Sequence, residues 1–144
     1  MGYSIGLAGL ALCVILCGIG SAIGLFLTSQ AASGVLAEDG KKFSKVFILV
    51  VLPATQGIYG FVLALIGQGS LTAGMSVSAG WQVFFAALPL AIAGITSAIF
   101  QGKSAVAGIY TVAKNESLSG KLILFPAMIE FYAILGLVIS IILI

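Results

Sequence analysis

The chain of 144 residues has no histidine and no arginine, and only 7% of its residues carry a charge. A soluble domain carries charge on about a quarter of its residues, so this composition excludes an ordinary water-soluble protein. With no histidine and only two cysteines, the chain offers no ligand pattern of a transition-metal site. The net charge of +2 is too small to indicate nucleic acid as a partner. Of the whole chain, 61% of the residues are hydrophobic, which predicts an integral protein of the lipid bilayer.

Four apolar runs follow one another along the chain. They cover residues 3–36, 46–66, 81–112 and 122–144. Each is long enough to cross the hydrocarbon core as a helix, which takes about 20 residues. The runs are continuous rather than alternating, which favours helices over the strands of a closed barrel. The first run is too long for the apolar core of a signal peptide, so we expect an all-α membrane protein with four retained transmembrane helices.

The charged side chains gather in the first and third breaks between these runs. They are Glu38, Asp39, Lys41, Lys42 and Lys45 in the first break, and Lys114, Glu116 and Lys121 in the third. The middle break, residues 67–80, and both termini have no charged side chain. Because lysine-rich loops stay on the cytoplasmic side of a membrane, we expect the first and third loops in the cytoplasm and both termini outside.

The two halves of the chain resemble each other. Residues 53–59, PATQGIY, align with residues 126–132, PAMIEFY, and the proline, alanine and tyrosine coincide. A weaker match pairs Ala31 with Ala105 and Gly34 with Gly108. An internal repeat defines the architectural unit, here a helical hairpin that has been duplicated and fused. We predict residues 1–72 as the first hairpin and residues 73–144 as the second, within one membrane domain.

Small residues recur along the first apolar run. They are Cys13, Cys17, Gly20 and Gly24. Such spacing permits close approach of neighbouring membrane helices, and we interpret the two cysteines as packing residues. The pattern fits a helix crowded on the inside of a ring, and it equally fits any tight helix pair.

Glu130 is the one acidic residue within an apolar run, and its repeat counterpart is Gly57. A carboxylate at bilayer depth costs about 2.5–3.5 kcal/mol on insertion scales, so such a residue marks a functional site by default. Thr55, Gln56 and Gln101 lie about as many residues from the charged loops as Glu130 does. Since a helix rises about 1.5 Å per residue, all four side chains are expected at one depth.

These four side chains all offer oxygen atoms, which hard cations prefer as ligands. A single carboxylate is neutralised by a monovalent ion, so sodium or a proton fits better than calcium or magnesium. A proton carrier needs only the carboxylate, and the buried amides and hydroxyl would then be an unexplained polar cost in lipid. The residues therefore favour sodium, with a proton as the alternative.

Three further residues near this depth allow two interpretations each. Tyr59 shares a helix face with Thr55, and it either donates a hydrogen bond to Glu130 or only packs. Pro53 removes a backbone donor, which either frees carbonyl ligands or merely kinks the helix. Lys103 either pairs with Glu130 or, being two residues from Gln101, points elsewhere and extends toward the cytoplasmic side.

The duplicated hairpin, the run LPATQG at residues 52–57, the run QGK at residues 101–103 and the Glu130 segment resemble the rotor-ring subunit of V-type ATPases. Within that family, the resemblance is to the c-type or K subunit of the bacterial sodium-translocating kind. It implies a four-helix subunit that assembles into a homo-oligomeric membrane ring and carries one ion on an essential glutamate. By position, Glu130 matches that glutamate, Thr55, Gln56 and Gln101 match sodium-ligating side chains, Leu52 matches a backbone-carbonyl ligand, and Tyr59 matches a tyrosine that hydrogen-bonds the glutamate.

The resemblance also implies partners. A stator subunit would supply a positive group at which Glu130 releases its ion, and central-stalk subunits would contact the cytoplasmic loops. The chain would then lie in the bacterial cell membrane and hydrolyse nothing itself, since ATP hydrolysis belongs to a separate sector. The alternatives are a proton-translocating ring of the same fold and, from another class, a small four-helix secondary exchanger with one membrane glutamate.

Overall fold

Helices and short turns make up the whole structure, a computed structural model that describes residues 1–144. The helices are α1 (Gly2–Glu38), α2 (Phe43–Val51), α3 (Thr55–Gln68), α4 (Val77–Lys114), α5 (Ser119–Leu122) and α6 (Leu124–Leu143). The pairs α2–α3 and α5–α6 each form one interrupted segment, so that four segments are long and apolar enough to cross a membrane. The predicted all-α fold of four transmembrane helices is confirmed.

The two long helices, α1 and α4, end in the same way. Asp39 follows α1 with an extended backbone, and its side chain accepts a hydrogen bond from the Lys41 amide at 3.0 Å. Asn115 follows α4 and accepts from the Ser117 amide at 3.2 Å. Asp and Asn favour such turns because their short side chains reach the backbone two residues on. The repeat therefore extends to the turn chemistry of each hairpin.

Contacts at the two ends of the bundle show which loops lie together. At one end the Lys42 ammonium donates to the Ala113 carbonyl at 2.7 Å, which joins the first loop to the last turn of α4, next to the third loop. At the other end Gly2 packs against Ser76 in the middle loop, and the Ile144 side chain lies beside Gly67. Both termini and the middle loop therefore share the end opposite the charged loops. The predicted hairpin boundary between residues 72 and 73 falls in this middle loop and stays a prediction.

The core is a parallel pair formed by α1 and α4, which approach closely through glycines. A Cβ atom placed on Gly20 would lie 2.6 Å from the Cα of Ile95, and one on Gly102 would lie 2.7 Å from the Cα of Gly24. Contacts this close are typical of small residues between membrane helices, where van der Waals packing drives association. On the outside, α3 packs against α1, and α6 packs against α4.

Replacing Gly20 by alanine should destabilise the protein, because the new Cβ would meet the rigid backbone of Ile95. Overpacking of this kind costs about 1–3 kcal/mol. Gly34→Ala is the matched control, since Gly34 lies in the same helix with no atom within 4 Å of the added Cβ. Thermal unfolding in detergent should give a lower midpoint for Gly20→Ala and an equal or higher one for Gly34→Ala. Equal midpoints for the two variants would contradict the packing described.

Single cysteines introduced at exposed loop positions should report the orientation. A cysteine at Lys41 or Lys114 should react with an impermeant thiol reagent only from the cytoplasmic side, and one at Ser76 only from outside, because lysine-rich loops stay inside. The unsubstituted chain is the control, since Cys13 and Cys17 are fully buried and should not react. The opposite labelling pattern would mean that the orientation is reversed. Labelling of Lys41→Cys and Ser76→Cys from the same side would refute the arrangement in which these two loops lie at opposite ends of the bundle.

Candidate functional site

The second membrane segment is interrupted where its polar residues begin. A 3-10 turn, Leu52–Ala54, separates α2 from α3 and contains Pro53, which has no amide hydrogen to continue the helix. The Thr55 hydroxyl lies 3.1 Å from the Leu52 carbonyl oxygen and 3.3 Å from the Gln56 amide oxygen. At the interruption, a carbonyl oxygen and an amide oxygen thus lie within hydrogen-bonding distance of the Thr55 hydroxyl.

Two glutamines connect this turn to the carboxylate. Gln56 Nε2 donates to Gln101 Oε1 at 2.7 Å, and Gln101 Nε2 donates to Glu130 Oε2 at 3.1 Å. Gln101 Nε2 also lies 3.2 Å from the Pro126 carbonyl oxygen. Both glutamine side chains are fully buried, and buried polar groups in native structures are satisfied in this manner. The chain of contacts joins α3, α4 and α6 at one depth of the bundle.

Glu130 itself is held by two donors, one on each carboxylate oxygen. The Tyr59 hydroxyl donates to Glu130 Oε1 at 2.5 Å, while Gln101 occupies Oε2. Of the two interpretations of Tyr59, the structure therefore contains the hydrogen bond. Glu130 is only partly buried, so its side chain reaches the surface of the chain.

Lys103 takes no part in this network. Its side chain is exposed, and its ammonium lies 5.4 Å from the centroid of the Phe100 ring. The one ion pair of the structure joins Lys42 and Asp39, at 4.0 Å near the loops. Glu130 consequently has no basic partner within the chain, and a structural salt bridge does not explain its position in the membrane.

The oxygen atoms at the site suit one class of metal ion. The structure contains no group of three or more histidine, cysteine, aspartate or glutamate side chains that could hold a metal ion. Neutral carbonyl, hydroxyl and amide oxygens around one carboxylate suit a small hard cation and not a soft transition metal. These oxygen atoms are of the type that binds a hard cation, and a carboxylate can also take up a proton.

Three residues at the site were not expected from the sequence. The Pro126 carbonyl accepts from Gln101, and the only signal for it was its alignment with Pro53. Ser21 and Thr28 are buried hydroxyl residues of α1 that contact the interrupted segment. Their occurrence within an apolar run was a signal, but it does not say which helix they face.

Comparisons with known proteins agree with the duplicated architecture. A family model that describes the C subunit of ATP synthase matches residues 4–67 and residues 84–143. The chain is 45% identical over 135 residues to the V-type sodium ATPase subunit K of Enterococcus hirae, covering 94% of this chain and 86% of that protein. It is 41% identical over 139 residues to the A-type ATP synthase subunit K of Methanocaldococcus jannaschii, covering 96% of this chain and 61% of that protein. The family match falls once on each half of the chain, as a duplicated hairpin requires.

Removing the Tyr59 hydroxyl should make Glu130 more reactive. A hydrogen bond to a charged group contributes about 1.5–3 kcal/mol, and about 1.4 kcal/mol is a factor of ten. Tyr59→Phe should therefore accelerate labelling of Glu130 by a carboxyl-modifying carbodiimide by about tenfold or more. Tyr132→Phe is the matched control, since Tyr132 is 69% exposed on α6. The measurement is the initial labelling rate at fixed pH without sodium. Equal rates for Tyr59→Phe and the parent chain would mean that the tyrosine does not restrain the carboxylate.

Proposed function

We propose that this chain, which belongs to the family of ATP synthase C subunits, binds one sodium ion at Glu130 and carries it across the membrane. It is an integral membrane protein and a rotor-ring subunit of a V- or A-type ATPase. The likeness to a subunit of a sodium ATPase supports sodium as the cargo. The observation that carries the proposal is the hydrogen-bonded path that joins Leu52, Thr55, Gln56 and Gln101, from two membrane segments, to the carboxylate of Glu130 on a third.

The proposed ligands are all present on one connected path. They are the carbonyl oxygen of Leu52, the hydroxyl of Thr55, the amide oxygens of Gln56 and Gln101, and the carboxylate of Glu130. One carboxylate balances one monovalent ion, which makes the loaded site neutral and allows it to face lipid. A divalent ion would leave a net charge at a depth where charge is costly. Tyr59 supports Glu130 and is not itself a proposed ligand.

Transport requires the ion to leave as well as to bind. Glu130 is partly exposed at the protein surface, so a positive group on a neighbouring stator could approach it and replace the sodium charge. That group must come from a partner, since this chain contains no arginine and its Lys103 points away. Assembly of many copies into a ring presents each Glu130 to the stator in turn, as the family implies.

The proposed orientation places the first and third loops in the cytoplasm, where they meet central-stalk subunits of the ATP-hydrolysing sector. Both termini then lie outside a bacterial cell membrane. The chain is not catalytic alone, and its contribution is to couple rotation to ion movement. Membership of the family disfavours a small secondary exchanger, which would need no rotary partner.

A proton-translocating ring is the second candidate, and one observation favours it. Both oxygens of Glu130 receive hydrogen bonds from protein groups, Tyr59 and Gln101. The Tyr59 hydroxyl can also accept a hydrogen bond, so it can hold a protonated Glu130 without any metal ion. This alternative leaves the buried contact between Gln56 and Gln101 without a role in ion binding.

Sodium should protect Glu130 from carbodiimide labelling near neutral pH, because the ion and the proton compete for one carboxylate. Lithium should protect in part, and potassium poorly, since potassium needs a larger cage. Gln56→Ala and Gln101→Ala should each raise the half-protecting sodium concentration by about tenfold or more, in line with losses of metal affinity at well-ordered sites. The measurement is labelling of Glu130 against sodium concentration and pH in membranes.

Glu130→Gln is the negative control of this experiment and should show no labelling at the site. If sodium fails to protect the parent chain, the sodium proposal is wrong and the proton ring takes its place. Unchanged protection in both glutamine variants would instead leave sodium as the ion and remove Gln56 and Gln101 from its ligand set.

A further inference from the structure

Two buried hydroxyls of α1 hold the interrupted segment from both sides. The Thr28 hydroxyl lies 2.9 Å from the Val50 carbonyl oxygen, just before the 3-10 turn. The Ser21 hydroxyl accepts a hydrogen bond from the Gly57 amide at 2.8 Å, just after it. Thr28 is 0% exposed and Ser21 is 6% exposed. The turn that carries the proposed ligand oxygens is therefore bracketed by two contacts from a neighbouring helix.

Ser21 performs a task that α3 cannot perform for itself. The first amides of any helix have no carbonyl partner within it, and in membranes such groups must be satisfied by protein. The residue before α3 is Ala54, whose side chain makes no capping hydrogen bond. Ser21 supplies the missing acceptor from α1, as a serine at the N-cap normally would. Gly57 allows this approach, since a Cβ there would lie only 3.3 Å from the Ser21 hydroxyl.

Thr28 acts on the other side of the turn. Its hydroxyl has one hydrogen to donate, and three carbonyl oxygens lie within reach. The distances are 3.2 Å to Gly24, 3.1 Å to Leu25 and 2.9 Å to Val50. The shortest contact is the one between helices, so it fixes the end of α2 against α1 in place of a bond within α1.

The second hairpin lacks this arrangement. At the positions of α4 that align with Ser21 and Thr28, 74 residues on, the sequence has Ile95 and Gly102, neither of which carries a hydroxyl. Pro126, the counterpart of Pro53, lies in the first turn of the regular helix α6, with no 3-10 turn around it. The hydroxyl contacts therefore occur only in the first hairpin, which supplies a carbonyl and two neutral side chains to the proposed site. They are not a general feature of the repeat.

We infer that Ser21 and Thr28 are positioning residues for the cation site, holding the 3-10 turn so that Leu52, Thr55 and Gln56 present their oxygens together. The inference rests on the proposed sodium binding at Glu130. Neither hydroxyl contacts Glu130, whose hydrogen bonds come from Tyr59 and Gln101. Their loss should consequently weaken sodium binding while leaving the carboxylate itself unchanged.

The test is sodium protection of Glu130 from carbodiimide in assembled complexes bearing Thr28→Val, Ser21→Ala or both. Each single variant should raise the half-protecting sodium concentration by about tenfold, the lower end of the effect of groups that orient metal ligands. The rate of labelling without sodium, and its dependence on pH, should stay as in the parent. Thr28→Ser keeps the hydroxyl and should restore sodium protection, which a role in packing alone would not predict.

Two controls remove a hydroxyl elsewhere. Ser29→Ala and Thr96→Val change exposed residues that form hydrogen bonds only within their own helices. In both variants, sodium should protect Glu130 as well as it does in the parent. Hydrogen exchange at the Gly57 amide supplies a readout independent of sodium and should accelerate in Ser21→Ala. Faster exchange with unchanged sodium protection would overturn the positioning role, as would unchanged exchange together with unchanged protection. Absence of sodium protection in the parent would instead refute the proposed function, and the positioning role with it.

Discussion

The hydrogen-bonded path from Gln56 through Gln101 to Glu130 constrains the rest of the structure. A carboxylate and two amides inside an apolar bundle are stable only if each polar group finds a partner. Here the partners come from different helices, so a shift of one residue along any helix, about 1.5 Å, would break a contact. Small residues make the alignment possible, because α1 and α4 approach backbone to backbone at Gly20 and Gly102. This close packing drives association in lipid, and the outer segments bring their polar residues against the rigid inner pair.

Differences between the two repeats explain why the chain has a single acidic residue within its membrane segments. Both hairpins retain the proline and the tyrosine of the repeated segment, but only the second has an acidic residue, Glu130, while the first has Gly57. The lack of a side chain at Gly57 admits the Ser21 hydroxyl to the start of α3. The second copy thus contributes the charge and Gln101, and the first contributes neutral oxygens on an interrupted helix.

The four helical segments, the internal repeat and the common depth of Thr55, Gln56, Gln101 and Glu130 could all be predicted from the sequence. These follow from local rules, because the bilayer demands long apolar runs and a helix has a fixed rise per residue. The sequence also indicates that Lys103 and Gln101 face different ways, because residues two positions apart on a helix point in nearly opposite directions.

Which helix each buried polar side chain contacts depends on how the helices pack in three dimensions. Relative rotation and offset arise from packing between helices that are distant in sequence, and no local pattern encodes them. Thus Tyr59 could be expected either to pack or to donate, and the geometry selected the hydrogen bond to Glu130. The partners of Ser21 and Thr28 cannot be read from the sequence, because they arise from the packing of α1 against the interrupted segment. Their contacts depend on three-dimensional proximity, which is why the alignment of the chain with itself could not reveal them.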